Sequence, residues 1–182
     1  MNRPTMRILM IALLLAPPGI AAEPLVSGVP VGKKAGPYSF LVATGKERGQ
    51  PTCFICEQGD QPTAVVFARS LSEPLGALML QLDGEMATRV GFKAWLTVLQ
   101  PKADLDALAK WSAKQGLKTA AVGAFEDLDG PPAYLLNKDA DITLMVFVKK
   151  TVLVNRNYRA GELTTEVISA MLAESRESLD KK

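Results

Sequence analysis

The chain has 182 residues, 48% of them hydrophobic and 22% charged, which suits one globular domain with a sizeable core. Its 21 basic and 19 acidic residues are nearly balanced, arguing against a nucleic-acid surface and giving no reason to expect an anionic membrane partner. There is no histidine and there are two cysteines, so Ser-His-Asp and Cys-His machinery, His-containing zinc sites and a four-thiolate site within one chain are all excluded.

The first 22 residues have the pattern of an export signal. Arg3 and Arg7 precede the apolar run 8–16, Pro17, Pro18 and Gly19 break any helix, and Ala21 and Ala22 are small residues suited to cleavage. An uncleaved N-terminal anchor is the alternative. The run falls short of the ~20 apolar residues of a spanning helix, and nothing downstream reaches that length. Removing residues 1–22 takes away Arg3 and Arg7 and no acid, which leaves basic and acidic side chains equal in number. The expected location is exported, periplasmic or secreted, with no membrane association after cleavage, where disulfides persist.

Residues 23–36 are rich in Pro, Gly and Val and read as a leader, with the domain spanning 37–178. Tyr38, Phe40 and Val42 alternate as one face of a strand. Residues 45–61 read as a 17-residue loop, long enough to be functional or tethered. The apolar run Thr63 to Ala68 fits a central strand covered on both faces. Ser72, Glu73 and Pro74 open a helix whose Leu75, Leu78, Met79, Leu82 and Met86 share one face. Phe92 to Leu99 is the next strand. Asp104 to Gln115 is a second helix with Leu105, Leu108 and Ser112 on one side, Trp111 flanking and Gly116 at its end. Thr119 to Phe125 is a short strand, and 127–133 a turn-rich loop. Ile142 to Val148 and Val152 to Arg156 form a hairpin about 149–151. Thr164 caps a last helix over Val167, Ile168, Met171 and Leu172, with Leu163 placed to staple onto Ile168. The charged end from Glu174 is expected to fray, with 179–182 as a tail.

Side-chain chemistry concentrates at Cys53 and Cys56, the candidate catalytic residues, set as C-x-x-C in the loop between Gly45 and Thr63. In one reading they form a permanent disulfide clip, although a four-residue ring contributes only about 2 kcal/mol. In a second they cycle between dithiol and disulfide. Lys46 and Arg48 would favour a thiolate there, Glu57, Asp60 and Glu47 oppose it, and Phe54 and Ile55 would offer a partner an apolar surface. In a third, two chains or a partner complete a metal site around the thiolates. Elsewhere, Trp95 and Trp111 fit core or flanking positions. Asp127, Asp129, Asp139 and Asp141 do not match a calcium loop and suit a solvated turn. Glu162 and Glu166 suit a helix start, and Ser72 a cap. No cofactor signature and no metal signature within one chain are present.

The element order, with Val31-Gly32, Pro37 and Phe40-Leu41 before a strand ending at Gly45-Lys46, resembles the thioredoxin-like superfamily in its peroxiredoxin-type branch, over about residues 30–175. The stretch Gly45, Gly49, Cys53-x-x-Cys56, Gly59 and Pro62 is similar to that of exported bacterial proteins with C-x-x-C before the first core strand. The resemblance implies an α/β fold: a three-layer α/β/α sandwich with a mixed central sheet and a C-terminal β-hairpin plus helix. It also locates a departure. Its reactive cysteine belongs after the first core strand, where this chain has Ser70 to Pro74, and its cis-proline belongs where Asp141, Ile142 and Thr143 stand. Peroxidase activity of the usual kind is therefore not expected. The reading is thiol–disulfide or electron exchange by Cys53 and Cys56, with a protein thiol or disulfide as partner and the oligomeric state open. If the protein is an enzyme, it is a thiol–disulfide oxidoreductase. The alternative is a non-catalytic binding or structural domain with a permanent clip.

Overall fold

The computed structural model describes residues 23–181; the expected export signal, 1–22, lies outside them. In chain order the elements are β1 (Phe40–Val42), β2 (Pro51–Thr52), α1 (Phe54–Gln58), β3 (Thr63–Ala68), α2 (Glu73–Thr88), β4 (Lys93–Leu99), α3 (Leu105–Gln115), β5 (Ala121–Phe125), a 3-10 turn (Pro132–Tyr134), β6 (Ile142–Val148), β7 (Thr151–Tyr158) and α4 (Thr165–Asp180).

One mixed sheet runs β2-β1-β5-β4-β3-β6-β7. The expected parallel set forms at its centre, β3 with β4 and β4 with β5. The hairpin β6–β7 adds antiparallel strands beside β3, and β1 and β2 add the other margin, also antiparallel. All six residues of β3 are buried, as its uninterrupted apolar run requires of a strand with both faces covered. Gly123 in β5 lets β1 come close, since a Cβ there would collide with Leu41 O and the Phe40 ring.

The two faces are covered very differently. Strand alternation sends Ala64, Val66, Leu96, Val98, Leu144 and Val146 to one side. There they meet Leu75, Leu78, Met79 and Leu82 of α2, Leu108 of α3, and Ile168, Met171 and Leu172 of α4. All three long helices thus pack on one face. The caps read from the sequence form, Ser72 Oγ accepting from Leu75 N and Thr164 Oγ1 from Val167 N; α3 is capped as well, by Asp104, whose Oδ1 accepts from Asp106 N and Ala107 N. Gly116 ends α3 in the left-handed region, and Leu163 and Ile168 are buried in the same cluster, as a staple would place them.

The opposite face is filled by rings. Tyr38, Phe40, Phe54, Phe67, Trp95 and Tyr134 form its core together with Met145 and Phe147. Each large ring buries about 150–250 Å², so a thin cover suffices: the short α1, the 3-10 turn and residues 26–37. The reading of 23–36 as a leader ahead of a domain that begins at 37 is corrected here, because residues 27–35 are bound to the sheet. Gly32 N donates to Val152 O (2.8 Å), Val152 N to Lys33 O (2.9 Å) and Ala35 N to Lys150 O (2.7 Å). Ser27 Oγ meets Thr143 Oγ1 at 2.8 Å, and Asn155 Nδ2 donates to the carbonyls of Ser27 and Val29. Gly28 has φ +84, and a Cβ on it would stand 2.9 Å from Asn155 Nδ2, so only glycine fits that approach.

The charged end also behaves differently from expectation. Helix α4 continues to Asp180 rather than fraying from Glu174. Ion pairs between Arg156 and Glu174, Arg176 and Glu85, and Arg89 and Asp180 tie it to β7 and α2.

Candidate functional site

The cysteines sit in a segment far more structured than the expected 17-residue loop. Gly45 and Gly49 take positive φ and allow a tight return from β1 to β2, closed by Gly49 N donating to Val42 O (2.8 Å). Cys53 then caps α1, a single turn that carries Cys56. Gly59 ends it at φ +59. The turn is held from both sides. Gln58 Nε2 donates to the carbonyls of Gly91 and Pro62, Lys149 N donates to Asp60 O (3.1 Å), and Lys93 N to Pro62 O (3.2 Å). Of the two readings of this long span, functional or tethered, the tethers are present, but they are main-chain and amide bonds that no pattern of residue types announces.

Cys53 and Cys56 are bonded to each other, with their Cα atoms 5.3 Å apart. In that state neither sulfur is a thiolate available to a metal. Cys56 is exposed, whereas Cys53 is half-buried against the aromatic core. The backbone N–H of Cys56 donates to Cys53 Sγ at 3.3 Å.

Two expectations about the surroundings are corrected. Phe54 and Ile55, read as a partner's apolar landing surface, are 7% and 1% exposed. Phe54 stands edge-on to both Phe40 and Trp95, with ring centroids 5.5 Å apart in each case, so these residues anchor α1 to the core. Arg48, read as a thiolate-stabilising neighbour, turns instead to an ion pair with Asp106 at the start of α3. The cation found at α1 is Lys93, whose Nζ lies 5.6 Å from the centre of the Phe54 ring.

Beside α1 lies a cleft of about 340 Å³ lined in part by Phe54, Lys93, Lys118, Thr44, Glu47 and Ser112. Neither cysteine lines it. Behind Phe54 a hydroxyl relay is sealed in the core. Trp95 Nε1 donates to Tyr38 Oη, and Tyr38 Oη and Thr97 Oγ1 share a hydrogen bond, each 2.8 Å. Burial pushes both the Tyr38 and the Tyr134 phenols far above their usual range; the neighbouring Tyr38 adds to the effect at Tyr134.

The pair stands at the entry of β3, whereas the resemblance places its reactive thiol at the strand's exit. Six residues of strand separate the two ends, about 20 Å. At the exit the chain builds a latch. Arg69 donates from Nε to Ala140 O, from Nη1 to Leu128 O and from Nη2 to Asn137 O, while Ser70 Oγ donates to Asp141 Oδ2 (2.9 Å). Arg69 was not anticipated, because an arginine ending a strand carries no signal of the loops it will meet. A second unanticipated residue is Asp83, buried in α2, whose carboxylate accepts from Lys118 N, Thr119 N and Ala120 N. Its signal was visible: a carboxylate beside Leu82 on an apolar helical face needs donors.

In the segment 127–141 the turn formers are Asp127, whose Oδ1 accepts from Asp129 N, and Asn137, whose Oδ1 accepts from Asp139 N. At the start of α4, the backbone N–H of Glu166 and the Thr164 hydroxyl hold the Glu166 carboxyl below its usual range. Among the described residues no helix is long and apolar enough to cross a membrane.

No family model matches the chain, and no curated protein does. Solved structures do. An uncharacterised conserved protein from Geobacillus kaustophilus superposes with a TM-score of 0.65 at 13% identity, over 89% of each chain. A candidate thiol:disulfide interchange protein, DsbE, from Chlorobium tepidum gives 0.62 at 16% identity, over 83% of this chain and 99% of that one. A thiol peroxidase from Chromobacterium violaceum gives 0.55 at 13%, over 88% and 95%. At such identities the likeness speaks for the backbone alone, and together with the strand order it establishes that this chain has the thioredoxin-like fold, with a bonded C-x-x-C pair at the entry of its first core strand.

Proposed function

We propose that the protein is an exported thiol–disulfide exchange protein whose working groups are Cys53 and Cys56. The observation that carries the reading is the bonded pair itself, held on a clamped surface turn with Cys56 exposed to an incoming thiol. The likeness to structures described as a thiol:disulfide interchange protein and a thiol peroxidase adds support at the level of fold. The partner is a protein thiol or disulfide.

Thiol trapping across a series of redox buffers tests this. The expected potential lies above about −300 mV, the region below which structural disulfides fall. Cys53→Ser and Cys56→Ser should each lower Tm by no more than about 4–8 °C, because the small ring contributes about 2 kcal/mol. Both should lose complete turnover with a reporter disulfide. A potential well below about −300 mV, with a large stability loss on reduction, identifies a permanent clip instead. The buried anchors Phe54 and Ile55 are what favour that second reading.

Export belongs to the same proposal. Arg3, Arg7, the apolar run and Ala21-Ala22 support cleavage that leaves a chain starting near Glu23. Intact-mass measurement of the protein from its native host is the check, and a cytoplasmic form retaining Met1 would overturn it.

A further inference from the structure

Exchange at this pair has a direction, and the following rests on the exchange reading above. We propose that Cys56 is the sulfur that meets the partner and carries the mixed disulfide, while Cys53 is the leaving and resolving sulfur. The partner is a protein or peptide dithiol, or its disulfide in the reverse sense.

Access comes first. Exchange proceeds by in-line attack, so the incoming thiolate must approach along the extension of the sulfur–sulfur axis. Cys56 is on the exposed side of α1 and is followed by the exposed Glu57. Cys53 is half-buried, packed against the aromatic cluster and flanked in sequence by the buried Thr52 and Phe54. An approach to Cys56 is therefore open, whereas one to Cys53 would have to come from the side of the core. Charge points the same way. The Cys56 N–H already donates to Cys53 Sγ at 3.3 Å, so negative charge arriving on Cys53 as the bond breaks finds a donor in place. No donor to Cys56 Sγ is found among the described residues.

A partner thiolate adds its electron pair to Cys56 Sγ, forming the mixed disulfide. The Cys53–Cys56 bond breaks, and its pair leaves on Cys53 Sγ, which takes a proton from water. The partner's second thiolate then attacks the partner's own sulfur in the mixed disulfide and expels Cys56 as a thiolate, which is also protonated. The partner's dithiol has become a disulfide, and Cys53 and Cys56 have become two thiols. Two electrons and two protons have moved. With a partner that has one thiol, Cys53 closes back on Cys56 and releases it.

Two measurements with glutathione test the assignment. Oxidised wild-type protein is exposed to limiting reduced glutathione, quenched by alkylation and mapped by fragmentation mass spectrometry. Glutathione is expected on Cys56 and the alkyl group on Cys53, in a ratio of about ten or more to one. Cys53→Ser and Cys56→Ser, checked for folding by circular dichroism, are then reduced and mixed with glutathione disulfide. Cys53→Ser should form its adduct at least about tenfold faster than Cys56→Ser, because its remaining sulfur is the accessible one. If the wild-type adduct is too short-lived to map, this rate ratio decides. Adducts on Cys53, or equal rates for the two variants, overturn the direction while leaving exchange intact. A wild-type bond that glutathione does not open, with neither variant forming an adduct, overturns the exchange reading itself.

Discussion

Phe54 shows how one side chain can change the meaning of a motif. Between two cysteines it looks like a contact for another protein, but its ring is buried against Phe40 and Trp95 with the Lys93 ammonium over it. It therefore fixes where the sulfurs stand rather than what they meet. Phe54→Ala should cost about 3–5 kcal/mol, the usual range for emptying a buried aromatic site. Because the anchor of α1 is lost, the reduced variant should also react faster with a thiol probe at Cys53 than the reduced parent. Chemical denaturation and alkylation kinetics check the two effects, and an unchanged stability would mean that Phe54 is free to serve a partner. Arg69 makes a similar point at the other end of β3. Its three bonds to loop carbonyls occupy the region where the fold family keeps its chemistry.

At the scale of elements, the segment 26–37 does the work of a covering layer. It lies over Met145, Phe147 and Tyr134 on the face that no long helix covers, and its bonds to Lys150 and Val152 extend the sheet beyond β7. Deleting residues 23–36 should uncover a large apolar patch. Such patches drive association, so the truncated chain is expected to bind a hydrophobic dye and to melt well below the parent, by more than about 10 °C on the usual scale for a chain of this size. A truncated protein with the parent's melting temperature would show the segment to be a passive linker. Helix α2, in contrast, needs no such help to be located, since its cap and its apolar face agree.

For the whole molecule, the buried phenols set an alkaline limit. The folded state holds Tyr38 and Tyr134 protonated because burial disfavours the phenolate, whereas the unfolded chain releases both protons near the ordinary value of 10.0. The folded values are the higher ones, so the unfolded state binds fewer protons above that point. Stability is therefore fully present below about pH 10 and falls as the pH rises beyond it. A spectrophotometric titration should show most of the tyrosinate signal appearing together with the loss of circular dichroism. Ionisation of all three tyrosines at pH 10 with the fold intact would contradict the sealed aromatic core.

The elements with local signals were legible along the chain: the run Thr63 to Ala68, the capped helices after Ser72 and Thr164, the helix ending at Gly116, the hairpin about 149–151, and a C-x-x-C able to close on itself. Periodicity and capping act within a few residues, so they can be read along the chain. Packing across the sheet set which face each helix took, made residues 26–37 a layer, and turned Phe54 and Ile55 inward. The same holds for Arg48, drawn to Asp106, and for the difference in exposure between Cys53 and Cys56. Each of these depends on residues dozens of positions away competing for one surface. The energies involved are those of burial and of paired polar groups, and they exist only once the sheet has brought those residues together.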